Sequence, residues 1–390
     1  MSGSGNAEGA RASTADLIGW RMRALGLWRP LPGTAPGDGD GPARVRAVAE
    51  GLLALQGQDW NAARWALGVR APGVTEAEVL QAFDSGSLVR SWPMRGTVHV
   101  VPAEDLGWMQ AATGRRVLAG AAKRREFLGI DDASLSRMTD IALERLSGGI
   151  ALSREELGAA WIEAGIGDPE KGLGQWRYHV LWWLSQNGLV VAGPVGEAGG
   201  EPKLVLAEEW IPSPRRLEGE EALAELAARF ARGRGPVGER DLAWWTGLTL
   251  REVRTGIAAA SDAGRLTAVE IEGARYWADP ELLAESAAAP TDAAALLLPG
   301  FDEHLLGYTD RTAVLAAEHF ERIVPGRNGM FRSTIVDAGG RVVGVWLRTP
   351  RTGGVRIDLE PFPGETVDLD ALRTRTAEWG AFRGIRTELG

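Results

Sequence analysis

The stretch TEAEVLQAFDSGSLVRSWPMRGTVHVV, running from Thr75 to Val101, decides the fold. Thr75-Glu76-Ala77-Glu78 is a capping box, in which the threonine and the glutamate satisfy each other's backbone donors at a helix start. Val79 and Phe83 lie four apart, the spacing of a buried helical stripe. Ser85-Gly86 stops the helix, because glycine accepts the left-handed conformation of a helix end. Leu88 to Trp92 and Thr97 to Val101 then read as two strands on either side of a turn at Pro93.

The same plan recurs twice. Gln175 to Gln186 stops at Asn187-Gly188 and runs into strands at Leu189 to Ala192 and Lys203 to Ala207. Thr249 to Asp262 stops at Ala263-Gly264 and runs into Leu266 to Ile271 and Arg275 to Ala278. Capping boxes also open the helices at Ser153 and Thr249. A further helix precedes each copy, at Arg44 to Leu55, Ser153 to Glu163 and Glu239 to Trp245. Helix, turn, helix and hairpin wing is the plan of a winged helix, whose second helix can enter a DNA major groove.

The expected class is therefore α+β, with three tandem winged-helix domains over 15–102, 103–214 and 215–290. From 291 to 390 the pattern changes to short strands separated by Asp337-Ala338-Gly339-Gly340 and Thr352-Gly353-Gly354, closed by a helix over Asp368 to Phe382. That part reads as a small C-terminal β-barrel. Residues 1–14 are rich in Gly, Ser and Ala and read as a disordered tail.

The chain has 390 residues, enough for several cores, and no cysteine, which excludes disulfides and thiolate metal sites. His99, His179, His304 and His319 are too dispersed for a metal site, so neither metal nor cofactor is expected. No apolar run is long enough to span a membrane. A cytoplasmic, nucleoid-associated bacterial protein, monomeric and away from membranes, is the expectation.

The formal charge of −9 argues at first against a nucleic-acid partner, but the distribution decides more than the sum. Acid gathers between Glu197 and Glu225. Between 90 and 125, Arg90, Arg95, Arg115, Arg116, Lys123, Arg124 and Arg125 face only Glu104 and Asp105. Between 311 and 356, eight arginines, Arg311 and Arg332 among them, face Glu318, Glu321 and Asp337. Guanidinium suits phosphate.

For chemistry the candidate is Leu55-Gln56-Gly57-Gln58-Asp59. In a continuing helix Gln56 and Gln58 would diverge; a break at Gly57 would let them converge. An amide can accept from a water and donate to an anion, without being a strong base. On chemistry alone, an exposed polar helix terminus accounts for the pair more simply.

The run Leu52 to Asp59 resembles the signature of the winged-helix DNA glycosylases that repair alkylated purines and interstrand crosslinks. Two more runs resemble that family in the same order, Leu88 to Pro102 and Leu298 to Arg311. The resemblance implies tandem winged helices and a β-barrel around a concave face for double-stranded DNA. It implies Gln56 and Gln58 as catalytic residues of a monofunctional glycosylase acting on N7-alkylated purines, with crosslink unhooking as an extension. Gln58, where a second branch has aspartate, places the chain in the glutamine branch, which includes antibiotic self-resistance enzymes. Gly57 departs from the larger apolar residue common there. Arg95, Thr97 and His99 on the first wing, with Arg311 and Arg332, are the DNA-binding candidates, although His99 also reads as a packed core residue. Phe301 and Asp302 read as holding the β-domain against the helices, and Asp59 as a helix cap. A winged-helix transcription regulator and a non-catalytic lesion-binding resistance protein stay open as alternatives.

Overall fold

A computed structural model describes residues 12–166, 173–196 and 199–390. Most of the stretch read as a terminal tail lies outside them. Its last residues are ordered: Ser13 caps α1 (Thr14–Ala24), and Ala12 bridges to Ile271. After α1 come α2 (Gly41–Leu52), the two-residue β1 (Leu55–Gln56), α3 (Trp60–Gly68), α4 (Glu76–Asp84), β2 (Leu88–Met94) and β3 (Thr97–Pro102). The helices α5 (Leu106–Leu128), α6 (Asp132–Leu146), α7 (Arg154–Glu163) and α8 (Leu173–Gln186) lead to β4 (Val190–Ala192) and β5 (Leu204–Leu206). A short α9 (Ala207–Trp210) then precedes α10 (Gly219–Arg234), α11 (Glu239–Thr246), α12 (Leu250–Asp262), β6 (Thr267–Ile271) and β7 (Ala274–Ala278).

The three helix-to-hairpin units thus stand where the sequence places them, although the first turn falls at Arg95-Gly96 and Pro93 lies inside β2. Gly86, Gly188 and Gly264 take φ of 74°, 70° and 69°, the left-handed stops of α4, α8 and α12. The capping boxes at Thr75, Ser153 and Thr249 are all formed. The first two hairpins are not separate wings, however. They join through Arg90 and Ala192 into one five-stranded sheet of order β1-β3-β2-β4-β5. Among the described residues, β6 and β7 form a separate two-stranded ribbon.

The C-terminal part contains α13 (Pro280–Ala284), β8 (Leu296–Leu298), α14 (Glu303–Leu306), α15 (Phe320–Ile323), β9 (Thr334–Val336), β10 (Val342–Arg351), β11 (Gly354–Pro361), α16 (Leu369–Arg383) and β12 (Thr387–Leu389). Its strands form one sheet of order β12-β11-β10-β9-β8, curled as a half-barrel where the sequence reading expected a closed one: β8 and β12 remain edges. The main core is continuous across these regions, from Leu25 and Val45 through Phe230 and Trp245 to Trp379 and Phe382. A second core joins α6, α7 and α8 to β4 and β5. Ile18 and Met22 of α1 pack with Leu298 and Val336, so α1 sits on the C-terminal sheet. No described helix is long and apolar enough to cross a membrane.

One buried pair locks the C-terminal part to the helices. Arg70, fully buried, donates from Nη1 and Nη2 to the two carboxylate oxygens of Asp302, both at 2.8 Å. It also donates to the carbonyls of Leu25 and Ala66. Burial alone would raise the Asp302 carboxyl, but Arg70 and the His304 amide hold it below its ordinary value. Asp302→Ala should therefore lose about 3–5 kcal/mol of unfolding free energy, because it strands a buried guanidinium. Urea unfolding of the full chain checks this, and a loss below about 1 kcal/mol would contradict it.

Candidate active site

The glutamine strand begins where α2 stops. The sequence reading carries that helix through Leu55 and breaks it at Gly57; in the structure it ends at Leu52, with Leu53 at φ 65°. The cause lies far away in the chain. Arg234, at the end of α10, donates from Nη1 to the Leu52 carbonyl and from Nη2 to the Ala54 carbonyl, both at 2.7 Å. Carbonyls at a helix end need such outside partners, and here a buried guanidinium supplies them. The released chain is extended, and Leu55 and Gln56 pair with Val100 and His99 of β3. The strand ends at Gln56 and Gln58 follows in a bend after Gly57, so the two glutamines are presented by a strand end and the turn beyond it, not by a broken helix.

Glu303 fixes the other edge. Its Oε1 accepts the Gln56 backbone N–H at 3.0 Å, while Oε2 accepts Arg234 Nε at 2.9 Å and Trp245 Nε1 at 3.2 Å. Both Arg234 and Glu303 are buried, and Arg234 stacks on Trp245 with 4.4 Å to the ring centroid. Beyond Gln56, the Gly57 N–H donates to the Val98 carbonyl at 2.8 Å. A Cβ on Gly57 would sit 3.0 Å from the His99 carbonyl carbon, so the bare glycine permits this close approach. Arg90 Nε donates to the Gly57 carbonyl at 2.7 Å. Asp59 caps α3 by accepting the Ala62 N–H at 3.0 Å. Gln56 is half-buried and Gln58 exposed, on a bend held from both ends.

His99 lies beneath this strand with no exposed surface, so it offers no contact to a phosphate. Its Nδ1 is 3.0 Å from the Thr97 carbonyl. That oxygen can only accept, so Nδ1 carries the proton and Nε2 is left as an acceptor. Burial, helped by the charge of Arg95, pushes the imidazole down to about 3. Thr97 is half-buried beside it.

Arg95 and Arg311, far apart in sequence, meet on one ring. Arg95, at the hairpin tip with φ 52°, lies 4.5 Å from the Trp244 centroid, and Arg311 lies 5.5 Å from it. Arg311 also covers Phe331 at 5.3 Å and donates to the Leu305 carbonyl. The buried Nε of Arg95 has no hydrogen-bond partner among the described residues. Arg332 stands apart, paired with Glu360 at 2.9 Å. It does line a cleft of about 310 Å³ with Asp59, Asn61 and Phe331, next to Gln58 in the chain. Arg90, counted in the sequence among the DNA-facing basic run, is instead internal and pairs with Glu201. Sequence reasoning missed Arg234, Trp245 and Glu303. Glu303 lies inside the quoted run Leu298 to Arg311, which was the available signal.

The family model described as DNA glycosylase AlkZ-like matches residues 49–382. The chain belongs to the AlkZ-like DNA glycosylase family. It is 26% identical over 387 residues to a protein of Streptomyces sahachiroi named interstrand DNA cross-link repair glycosylase, covering 96% of this chain and 98% of that one. The structure resembles that of Streptomyces sahachiroi DNA glycosylase AlkZ with a TM-score of 0.73 at 23% identity, over 97% of this chain and all of the other. As a family member, the chain is a DNA glycosylase, an enzyme acting on N-glycosidic bonds. Among the described residues no three His, Asp or Glu side chains gather as a metal site.

The buried histidines contribute to the acid sensitivity of this glycosylase. His99 is pushed down to about 3 and His304 to about 4, against 6.5 unperturbed. The unfolded chain therefore binds more protons below pH 6.5, and stability present above that pH falls as acid is added. Each histidine contributes a slope of up to about 1.4 kcal/mol per pH unit in that window. Urea unfolding at several pH values should show His99→Gln with a shallower slope than the parent; an equal slope would contradict the assignment.

Proposed function

We propose that this glycosylase hydrolyses the N-glycosidic bond of N7-alkylated purines in double-stranded DNA, with Gln56 and Gln58 as its catalytic residues, and that it unhooks interstrand crosslinks. The observation that carries the reading is the Gln56–Gln58 segment itself, a strand end anchored by buried Glu303 and Arg234 that turns outward to solvent at Gln58. The name of the Streptomyces sahachiroi relative supports crosslink repair as the setting.

The chemistry matches neutral side chains. N7 alkylation makes the purine cationic, so it departs without being protonated. The C1′–N9 bond breaks, its electron pair passes to the purine, and the base leaves uncharged. The sugar is left oxocarbenium-like, and the oxygen of a water bonds to C1′, as in glycoside hydrolysis generally. The water's proton passes to solvent. Gln58, the exposed amide, positions that water; Gln56, half-buried above His99, helps to hold it and stabilises the sugar cation through its carbonyl. Preorganised dipoles do such work without reorganising during the reaction. Arg95, Thr97, Arg311 and Arg332 hold the DNA backbone around the site. Three winged helices, over 15–102, 103–214 and 215–290, with the β-domain over 291–390, would present this surface from a monomer.

Incubating the chain with duplex DNA carrying 7-methylguanine, then cleaving abasic sites with alkali, tests this. The expected result is strand cleavage at the lesion, reduced about 100-fold or more in Gln58→Ala with DNA affinity retained. No abasic product from that duplex or from an N7–N7 crosslinked one would overturn the reading. Because neither amide titrates, the single-turnover rate should stay level from about pH 5.5 to about pH 8.5. A bell-shaped profile in that range would reveal an acid or base instead.

A further inference from the structure

A second recess, of about 740 Å³, opens between α5 and α8 beside the tip of the first hairpin. Its walls include Tyr178, His179 and Trp182, and its rim carries Arg95, Arg116 and Arg124; among the described residues none of its lining is acidic. Tyr178 is 45% exposed and meets Trp92 edge-on at 6.2 Å. His179 stacks on Trp182 at 5.3 Å and is only 6% exposed, and its buried Nε2 has no hydrogen-bond partner among the described residues. Arg116 is engaged by Glu252, and Arg124 donates to Gln175. None of these residues belongs to the glutamine strand or its support.

We infer that this recess is a binding subsite for one unpaired nucleotide of a DNA strand. An open aromatic face, a ring nitrogen with no described partner and the guanidinium of Arg124, hydrogen-bonded only to the neutral Gln175 among the described residues, select a ligand that is flat, rich in hydrogen-bonding edges and anionic. A nucleotide has all three properties. Its base stacks on Tyr178, as bases do on aromatic platforms in single-strand binders. Burial and the charges of Arg124 and Arg125 lower the His179 pKa, which favours the neutral ring with one donor and one acceptor for the base edge. The phosphate lies towards Arg124, with Arg95 at the rim. The recess also abuts the working hairpin: Arg95 and Gly96 line it, and the following strand carries His99 opposite Gln56. A nucleotide held here would keep a neighbouring base out of the stack while the glutamines reach the sugar. The inference rests on the chain's being a DNA-binding enzyme, not on which residues catalyse.

The test is equilibrium binding of the full chain to two fluorescein-labelled DNA hairpins, one fully paired and one with a single bulged 2-aminopurine. The bulged duplex should bind about 10-fold tighter, with its 2-aminopurine emission quenched. Tyr178→Leu and Arg124→Gln should each reduce that preference to less than about threefold, while Tyr178→Phe, which keeps the ring, retains it. Equal affinity for both duplexes in the parent chain, or an unchanged preference in both Tyr178→Leu and Arg124→Gln, would overturn the proposal. Excision is not read in this assay, so the result stands apart from that of the alkaline-cleavage experiment.

Discussion

The buried pair of Arg234 and Glu303 is the constraint from which the candidate site follows. Together they satisfy the carbonyls of Leu52 and Ala54, the amide of Gln56 and the indole of Trp245. Tyr308 closes the group by donating to the Arg234 carbonyl at 2.8 Å. A buried ion pair is by itself weak evidence of stability, since desolvation offsets much of its attraction. Its value here is positional. Removing either partner would leave an uncompensated charge in the core, so the pair commits α10, α11, the end of α2 and the 298–311 segment to one arrangement. The strand bearing Gln56 is the piece of chain those four elements hold in common.

The same network explains what the sequence could and could not disclose. The capping boxes at Thr75, Ser153 and Thr249 and the glycine stops after α4, α8 and α12 are local signals, and the helix–hairpin repeat was legible from them. The end of α2 was not. Its sequence continues as a good helix, and what stops it is an arginine 182 positions from Leu52. Long-range side-chain capture leaves no periodicity to read. The merging of the first two hairpins into one sheet, through Arg90 and Ala192, was hidden for the same reason. The open edges of the C-terminal sheet likewise depend on which strands meet, not on their individual patterns. At the site, the two glutamines stood out as a polar pair, but only their likeness to a family motif gave them a catalytic reading. His99 could be read as core or as DNA contact, and burial decides for the core.

Charge works locally in this molecule. In this chain of net charge −9, Arg95 and Arg311 are both stacked on Trp244. Many other arginines are spent inside, on Asp302, Glu303 and Glu201. Arginine content alone would therefore overstate the DNA-facing surface. The chemistry proposed for the site uses uncharged groups: two amides, with an uncharged imidazole across the strand pair from Gln56, suited to a leaving group that already carries its own positive charge.

Amide hydrogen exchange at Gln56, followed by NMR in the uncomplexed chain, tests the central claim most directly. If buried Glu303 holds that N–H as described, its exchange should be slowed by about 10⁴ or more, close to the limit set by global unfolding. Exchange at the rate of an exposed loop would contradict the account, because the glutamine strand would then have no anchor to organise it.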